Sequence, residues 1–321
     1  LQAKMGNVIL RPYQAEIVHN TITYIREQWQ QKKPFEPAFI NAFVASGKTL
    51  VMGGIAHYAS SKNANVMILS RQGELAEQNS EECFNMGVAN SVYSASLGKK
   101  QVMHNVIVGT EKTVANALDT DFATWVPHIL CVDESHMICT EDAVLDNPKT
   151  QYGKIIKHFR SKRPNLAIIG LTGSPFRGTV PIITQFWRKI IEPQIDMQWL
   201  VENSFIVPTI YGYSGLEYKL DEFNKMDELG TGDFSSSQLS AMAEKMDASL
   251  THEIMREVVA ITQDRLGVLV TCASLKHCKE AAAILPEGSY GIVTDKTPEK
   301  ERRQILDDAK QLKIKFVFQI G

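Results

Sequence analysis

Short apolar runs alternate with amphipathic stretches along the first half of the chain. Five of the runs are rich in Val and Ile and almost free of polar residues: 38-AFINAF-43, 66-VMILS-70, 106-VIVG-109, 129-ILCVD-133 and 167-AIIGLT-172. Such runs are typical of strands that are buried on both faces of a parallel sheet. The stretches between them have helical spacing and lie at 50–60, 72–85, 110–118 and 152–160. This alternation predicts a doubly wound α/β domain.

The alternation of apolar runs and amphipathic stretches is interrupted after residue 180 and resumes later in the chain. Residues 182–207 are interpreted as helical segments that lead out of the first domain, and the polar stretch 217–240 as a loop or insertion before a helix at 238–263. A second α/β series follows, with strands at 267–273, 290–294 and 315–320 and helices at 275–284 and 298–309. We therefore predict two domains, 1–207 and 208–321. Because the chain stops directly after a predicted strand, the second domain is expected to be incomplete at its C-terminus.

The composition is that of a globular protein and excludes few functions. The 321 residues include 44% hydrophobic and 22% charged residues, and the net charge of −2 creates no overall basic field for nucleic acid. No apolar run approaches the ~20 residues that span a bilayer, and the N-terminus lacks a secretory pattern. The five cysteines form no CxxC pair and are expected to be reduced thiols, which favours a cytoplasmic protein.

The stretch 44-VASGKT-49 follows the first predicted strand and opens the first predicted helix. A phosphate-binding loop needs small residues whose N–H groups point inward, a Lys for the phosphates and a Thr or Ser hydroxyl for Mg²⁺. Gly47, Lys48 and Thr49 match the end of this pattern, whereas Ala42 stands where the first glycine is expected. This motif alone is therefore a weak indication of a nucleotide site.

A second motif, 129-ILCVDESH-136, strengthens this interpretation. Hydrolysis of a nucleoside triphosphate needs one carboxylate that anchors the metal and a second that orients and deprotonates water. Asp133 is the candidate metal ligand opposite Thr49, and Glu134 is the candidate base. Two acids that open a solvated loop are the alternative for this dipeptide alone. No G-x-G-x-x-G follows a strand, which argues against a dehydrogenase.

Eight segments occur in a defined order along the chain: 10-LRPYQ-14, 42-AFVASGKT-49, 68-ILSRQGELAEQ-78, 107-IVGT-110, 133-DESH-136, 171-LTGSPFR-177, 268-VLVTCAS-274 and 292-IVTDKTPEKER-302. Together they resemble superfamily 2 helicases of the DEAD/DEAH-box class, and most of all the RadD-like bacterial DNA-repair helicases. The resemblance implies two RecA-like parallel-sheet lobes and an ATP hydrolase that uses ATP and Mg²⁺. It also implies single-stranded or branched DNA as the partner, with single-strand binding or recombination proteins as candidate protein partners and no membrane.

The resemblance further implies roles for individual residues. Arg11 and Gln14 would stack on or read adenine. The triphosphate and the metal would be held by the loop residues Val44, Ala45, Ser46, Gly47, Lys48 and Thr49. Thr172 and Ser174 would couple the nucleotide state to the nucleic-acid surface. The nucleic-acid backbone would be contacted by Ser70, Arg71, Gly109, Thr110, Thr271, Ser274 and Thr294. For each hydroxyl taken singly, a turn-capping role is the alternative.

Two departures from the helicase pattern lower the expected activity. Val44 and Ala45 stand where the pattern A-x-T-G-x-G-K-T has Thr and Gly, so weaker nucleotide binding is expected. The arginine fingers of the pattern would lie beyond Gly321, so little strand translocation is expected from residues 1–321 alone. Three alternatives stay open: a translocating subunit of a restriction or phage-defence system, an RNA helicase, and a weakly active nucleotide-dependent clamp.

Overall fold

The computed structural model describes residues 4–31, 33–177, 179–209 and 247–320, together with positions 215, 216, 241 and 245. The chain divides into two compact units, Leu1–Pro208 and Thr209–Gly321. The loop predicted at 217–240 lies outside the described residues, and so does most of the first part of the helix predicted at 238–263.

The first unit is built on an eight-stranded sheet with the order β12-β3-β9-β8-β4-β7-β5-β6, and two short hairpins accompany it. All strand pairs of the large sheet are parallel except β5 with β6. The strands of this unit are β1 (Lys4–Met5), β2 (Val8–Ile9), β3 (Ala38–Ala42), β4 (Val66–Ser70), β5 (Asn90–Ser94), β6 (Lys99–Lys100), β7 (Val106–Thr110), β8 (Ile129–Asp133), β9 (Ala167–Thr172), β10 (Phe176–Arg177), β11 (Val180–Pro181) and β12 (Lys189–Ile195).

Helices cover both faces of this sheet. The helices of the unit are α1 (Pro12–Gln30), α2 (Lys48–Ser61), α3 (Gly73–Asn85), α4 (Glu111–Ala115), α5 (Thr140–Ala143), α6 (Gln151–Lys162) and α7 (Met197–Glu202). The first three share one apolar core, and α4 and α6 share the other. Successive residues of β4 alternate between the cores, with Ile68 in one and Met67 and Leu69 in the other. This double burial explains the unbroken apolar runs, and it confirms the α/β prediction.

Two details of the first unit differ from the sequence-based prediction. Residues 182–207 are not helical throughout, because 189–195 form β12 and only Met197–Glu202 is a helix in the later part. The branched residues Ile190 and Ile191 favour a strand, and an edge strand tolerates the missing N–H of Pro193. The helix predicted at 110–118 ends earlier, at Ala115.

The second unit has its own three-stranded parallel sheet within the described residues, in the order β13-β15-β14. Its elements are α8 (Ala248–Ile261), β13 (Val268–Cys272), α9 (Leu275–Ala282), β14 (Tyr290–Val293), α10 (Glu299–Lys310) and β15 (Phe316–Ile320). Met255, Cys278 and Phe318 are among the buried residues of its core. Across both units, each described helix is too short or too polar to cross a bilayer.

Candidate nucleotide site

Three loops meet at the carboxyl ends of the neighbouring strands β3, β9 and β8. The register pairs Asn41 of β3 with Thr172 of β9, and Leu171 of β9 with Asp133 of β8. Neighbouring strands are about 4.8 Å apart, so the three strand ends lie within about 10 Å of one another. Ligands of open α/β sheets bind at this edge.

The loop after β3 has the shape of a phosphate cradle. Ala45 has φ 68° and Gly47 has φ 81°, so two nearby residues are left-handed. The Ser46 N–H donates to the Phe43 carbonyl at 3.1 Å, and α2 begins directly at Lys48. Alternation of this kind turns backbone N–H groups toward one concavity in front of a helix N-terminus, which favours an anion.

The first turn of α1 anchors this loop through one carbonyl. The Ser46 carbonyl accepts hydrogen bonds from Tyr13 Oη at 2.6 Å and from Gln14 Nε2 at 2.8 Å. Gln14 Oε1 also accepts from the Arg11 N–H at 2.9 Å, and only 2% of Gln14 is exposed. Gln14 thus holds the loop, and its contact with adenine stays a prediction. The sequence analysis missed Tyr13, although it lies within the same motif.

The environment of the Ser46 hydroxyl shows whether the residues of the loop fit a bound phosphate. Ser46 is 2% exposed, and its Oγ has no hydrogen-bond partner among the described residues. A buried hydroxyl without a partner carries a desolvation cost of about 1–3 kcal/mol. A phosphate oxygen in the cradle would accept its proton, so the residues present fit a bound triphosphate.

An open cluster of flat side chains lies beside the loop. The Arg11 guanidinium is exposed and lies 4.6 Å from the ring centre of Phe205. Tyr13 contacts the rings of Phe205 and Trp199 edge-on, with centre-to-centre distances of 5.2 and 5.1 Å. Planar groups of this kind can stack on a base. Trp199 is half-buried in this cluster.

A continuous chain of polar contacts joins the loop to the ends of β8 and β9. Lys48 Nζ lies 3.5 Å from Glu134 Oε1, and His136 Nδ1 lies 3.4 Å from Glu134 Oε2. His136 Nδ1 is also 2.9 Å from Thr172 Oγ1, which donates to the Ser174 carbonyl and accepts from the Ser174 N–H. Since Thr172 has only one hydroxyl proton, His136 must donate from Nδ1.

Glu134 and Asp133 are both held in unusual environments. Glu134 has φ 49°, a left-handed conformation that costs a non-glycine residue free energy and is found at functional sites. Asp133 is 8% exposed and accepts the Glu134 N–H at 3.0 Å. Burial and then the charge of Glu134 raise the pKa of Asp133, and Lys48 opposes that change. A cation near Asp133 would relieve this unfavourable charge.

The predicted Mg²⁺ site has two protein ligands, Thr49 and Asp133. Thr49 follows Lys48 in the first turn of α2 and is half-buried. Among the residues that the structure describes, no group of three or more His, Cys, Asp or Glu side chains is arranged to hold a metal. Mg²⁺ commonly binds through one or two carboxylates plus substrate phosphates, and Asp133 with Thr49 fits that mode.

The predicted nucleic-acid contacts of the first unit are mostly buried. Ser70 Oγ accepts from Asn79 Nδ2 at 2.8 Å, and Thr110 Oγ1 lies 2.8 Å from Thr113 Oγ1. Gly109 is also buried. Arg71 alone of the four presents a side chain to the surface, next to Met137 Sδ at 3.8 Å.

The candidates of the second unit have local partners. Ser274 Oγ accepts the His277 N–H at 3.2 Å and caps α9. Thr271 Oγ1 accepts from Gln319 Nε2 at 3.4 Å, and Thr294 Oγ1 accepts the Lys296 N–H at 3.2 Å. The contacts of Ser274 and Thr294 fit the turn-capping alternative, whereas Thr271 contacts the residue opposite it on β15. Nucleic-acid binding by these residues stays a prediction.

A family model described as "Type III restriction enzyme, res subunit" matches residues 7–177. No curated protein matches the chain. Many solved structures are similar to it, and three of them are described below. For S. cerevisiae Dbp5 bound to RNA and ADP BeF3, the identity is 13%, the TM-score is 0.54, and 97% of this chain and 74% of that chain are covered.

For LlaBIII, an ATP-dependent Type ISP restriction-modification enzyme bound to DNA, the identity is 11%, the TM-score is 0.57, and 97% of this chain and 24% of that chain are covered. For T4 UvsW, the identity is 16%, the TM-score is 0.43, and 99% of this chain and 59% of that chain are covered. The chain thus spans less than two thirds of UvsW and about a quarter of LlaBIII. At such identities, the likeness to Dbp5 and LlaBIII shows the fold alone, an α/β fold of RecA-like lobes.

Proposed function

Because the chain belongs to the family of the res subunit of Type III restriction enzymes, we propose that it is an ATP-driven motor that moves on or remodels DNA. The observation that carries this proposal is the chain of contacts from Lys48 through Glu134 and His136 to Thr172. It links a phosphate cradle, a candidate base and a coupling segment at one edge of one sheet. A passive binding module has no need of that link.

The first unit would hold the nucleotide with its own backbone and a few side chains. The cradle N–H groups, Ser46 Oγ and Lys48 Nζ would bind phosphate oxygens, and Thr49 and Asp133 would hold Mg²⁺. Bound Mg²⁺ supplies charge neutralisation and alignment of the phosphates. Val44 is 63% exposed and leaves the cradle open.

Glu134 would act on the attacking water. Its Oε1 lies 3.5 Å from Nζ of Lys48, the lysine proposed to bind phosphate. A phosphate that takes over Lys48 leaves this carboxylate oxygen free to orient water and accept its proton. Since Glu134 also contacts His136, and His136 donates to Thr172, a shift of Glu134 reaches Ser174 at the surface. We propose this route as the coupling between nucleotide state and nucleic acid.

The partner and the cellular role are finer parts of the proposal. Single-stranded or branched DNA is the preferred partner, with Arg71 as the exposed contact of the first unit. A RadD-like role in DNA repair or recombination, with single-strand binding or recombination proteins as partners, is supported by the sequence motifs only. A cytoplasmic location is likewise a prediction from the sequence.

A second candidate is the translocating subunit of a restriction or phage-defence system. The family match over residues 7–177 and the fold shared with LlaBIII favour it. A translocase without strand separation would displace a triplex-forming oligonucleotide from duplex DNA, and it would leave a forked duplex paired. A helicase would separate the fork.

The proposal is tested by ATP turnover with single-stranded DNA, duplex DNA, forked DNA and RNA, each against protein alone. Turnover should rise with DNA, and Glu134→Gln should reduce it by about 100-fold or more while ATP still binds. The matched control is Glu81→Gln on the exposed side of α3, which should leave turnover unchanged. Stimulation by RNA alone would favour an RNA helicase. A Glu134→Gln variant that hydrolyses ATP normally would refute the assignment of the base.

A further inference from the structure

A cleft of about 320 Å³ lies at the edge of the first unit opposite to the nucleotide site. Its floor includes Ile129, the first residue of β8, whereas Asp133 is the last residue of the same strand. The strand rise of about 3.3 Å per residue places the two positions about 13 Å apart. The cleft is therefore separate from the cradle and has no part in the chemistry proposed above.

The walls of the cleft are aromatic and apolar. They come from the C-terminal halves of α1 and α2, and Trp29, Tyr58 and Ile25 line the space. Trp29 Nε1 donates to the Asn165 carbonyl at 2.9 Å, so its indole is held in place. The small side chain of Ala59 leaves room between the helices. The volume suits one aromatic or branched aliphatic side chain.

Two cations stand at the rim of this apolar space. Arg26 and Lys62 both line the cleft, and both are exposed. Neither forms an ion pair with any residue that the structure describes. The chain as a whole has a net charge of −2, so the two positive charges are a local feature. Apolar space flanked by unpaired cations is complementary to an apolar side chain flanked by carboxylates.

We propose that this cleft binds an acidic peptide segment of a partner protein, whose aromatic side chain enters between Trp29 and Tyr58 and whose carboxylates pair with Arg26 and Lys62. A nucleic-acid backbone would use the cations but would leave the apolar space without an apolar occupant. The C-terminal ends of α1 and α2 carry partial negative charge, which offsets part of the attraction. The affinity is therefore expected to be modest, on the order of micromolar.

The test uses the full chain and a fluorescein-labelled peptide, Gly-Ser-Asp-Asp-Phe-Asp-Asp-Gly-Ser, in an anisotropy titration. Binding should saturate, weaken with salt, and disappear when Phe in the peptide is replaced by Ala. Arg26→Glu and Lys62→Glu should each weaken binding at least about fivefold, the upper end for one exposed ion pair. Lys154→Glu, at an exposed position of α6, is the matched control and should leave binding unchanged. Ala64→Trp should fill the cleft and abolish binding.

Each contrary result identifies another occupant. Equal binding of the Phe-to-Ala peptide would overturn the proposal in favour of plain charge attraction. Competition by an oligonucleotide that depends on Arg26 and Lys62 but tolerates Ala64→Trp would assign the surface to nucleic acid. Self-association that Ala64→Trp abolishes, without peptide binding, would assign it to a second copy of the chain. If Ala64→Trp fails to fold, the charge variants and the peptide variants still decide.

Discussion

Ala45→Gly is expected to stabilise the first unit, which is the reverse of what glycine does at most positions. Ala45 has φ 68°, and the left-handed conformation costs an L-residue with a Cβ about 1–2 kcal/mol. Glycine removes that cost but adds about 0.4–1 kcal/mol of chain entropy in the unfolded state. The midpoints of these two ranges leave a net gain of about 0.8 kcal/mol. For a unit of this size, the gain corresponds to an increase of about 1–4 °C in Tm.

The same variant separates a folding effect from a binding effect. Ala45 is left-handed in the folded loop, so its strain opposes folding and is no additional cost of ATP binding to a loop of this shape. Ala45→Gly should therefore change ATP affinity by less than about threefold, in contrast to the weaker binding expected from the sequence departure alone. That expectation assumes that the loop keeps its shape when the phosphates bind.

The assay is thermal or urea unfolding of the variant and of a matched control. Ala15→Gly, in the interior of α1, should lower the free energy of unfolding by about 1 kcal/mol because glycine is a poor helix former. A decrease in stability for Ala45→Gly that equals the decrease for Ala15→Gly would show that position 45 is not strained, and the reasoning would fail.

Two further substitutions test the residues that support the nucleotide site. Tyr13→Phe removes the 2.6 Å hydrogen bond to the Ser46 carbonyl and should lower the free energy of unfolding by about 1 kcal/mol, measured by urea unfolding. The variant should also bind ATP more weakly. An unchanged urea midpoint would contradict the anchoring role of Tyr13. Asp133→Asn should abolish turnover yet raise Tm at neutral pH, because burial raises the pKa of Asp133 and makes its charge unfavourable in the folded state. Since the folded pKa lies above the unfolded value, the wild type loses stability as the pH rises from the unfolded pKa through the folded pKa. The advantage of the Asn variant should therefore vanish in acid, near the ordinary aspartate pKa of about 4, and an advantage that stays constant down to that pH would refute the argument.

The sheet of the first unit was predictable where its strands are buried on both faces. In β4 every residue from Val66 to Ser70 is buried, so the run is apolar almost throughout. The edge strand β12 exposes Lys189 and Glu192 and contains Pro193, so its sequence lacks the unbroken apolar run of a buried strand. The strand β5 has a similar problem, because its first residues Asn90 and Ser91 are polar.

The residues of the nucleotide site were predictable from the sequence, but the hydrogen bonds and backbone conformations that position them were not. Gln14 was expected at the nucleotide, yet its orientation depends on the Ser46 carbonyl, 32 residues away in sequence. The left-handed backbone of Ala45 and Glu134 could not be predicted from the local sequence, since both residue types favour other conformations. The burial of Ser70 follows from the packing of Asn79 against it, which single-residue patterns do not contain.

The most direct test of the account is equilibrium binding of ATP with Mg²⁺ by calorimetry to the wild type, Lys48→Ala and Lys154→Ala. Lys48 is half-buried in the site beside Glu134, whereas Lys154 is exposed on α6. The account predicts that Lys48→Ala binds ATP at least about tenfold more weakly, since a charge-assisted phosphate contact of about 1.5–3 kcal/mol is lost. Lys154→Ala should bind like the wild type. A Lys48→Ala variant that is folded and binds ATP as tightly as the wild type would contradict the central claim that this loop holds a triphosphate.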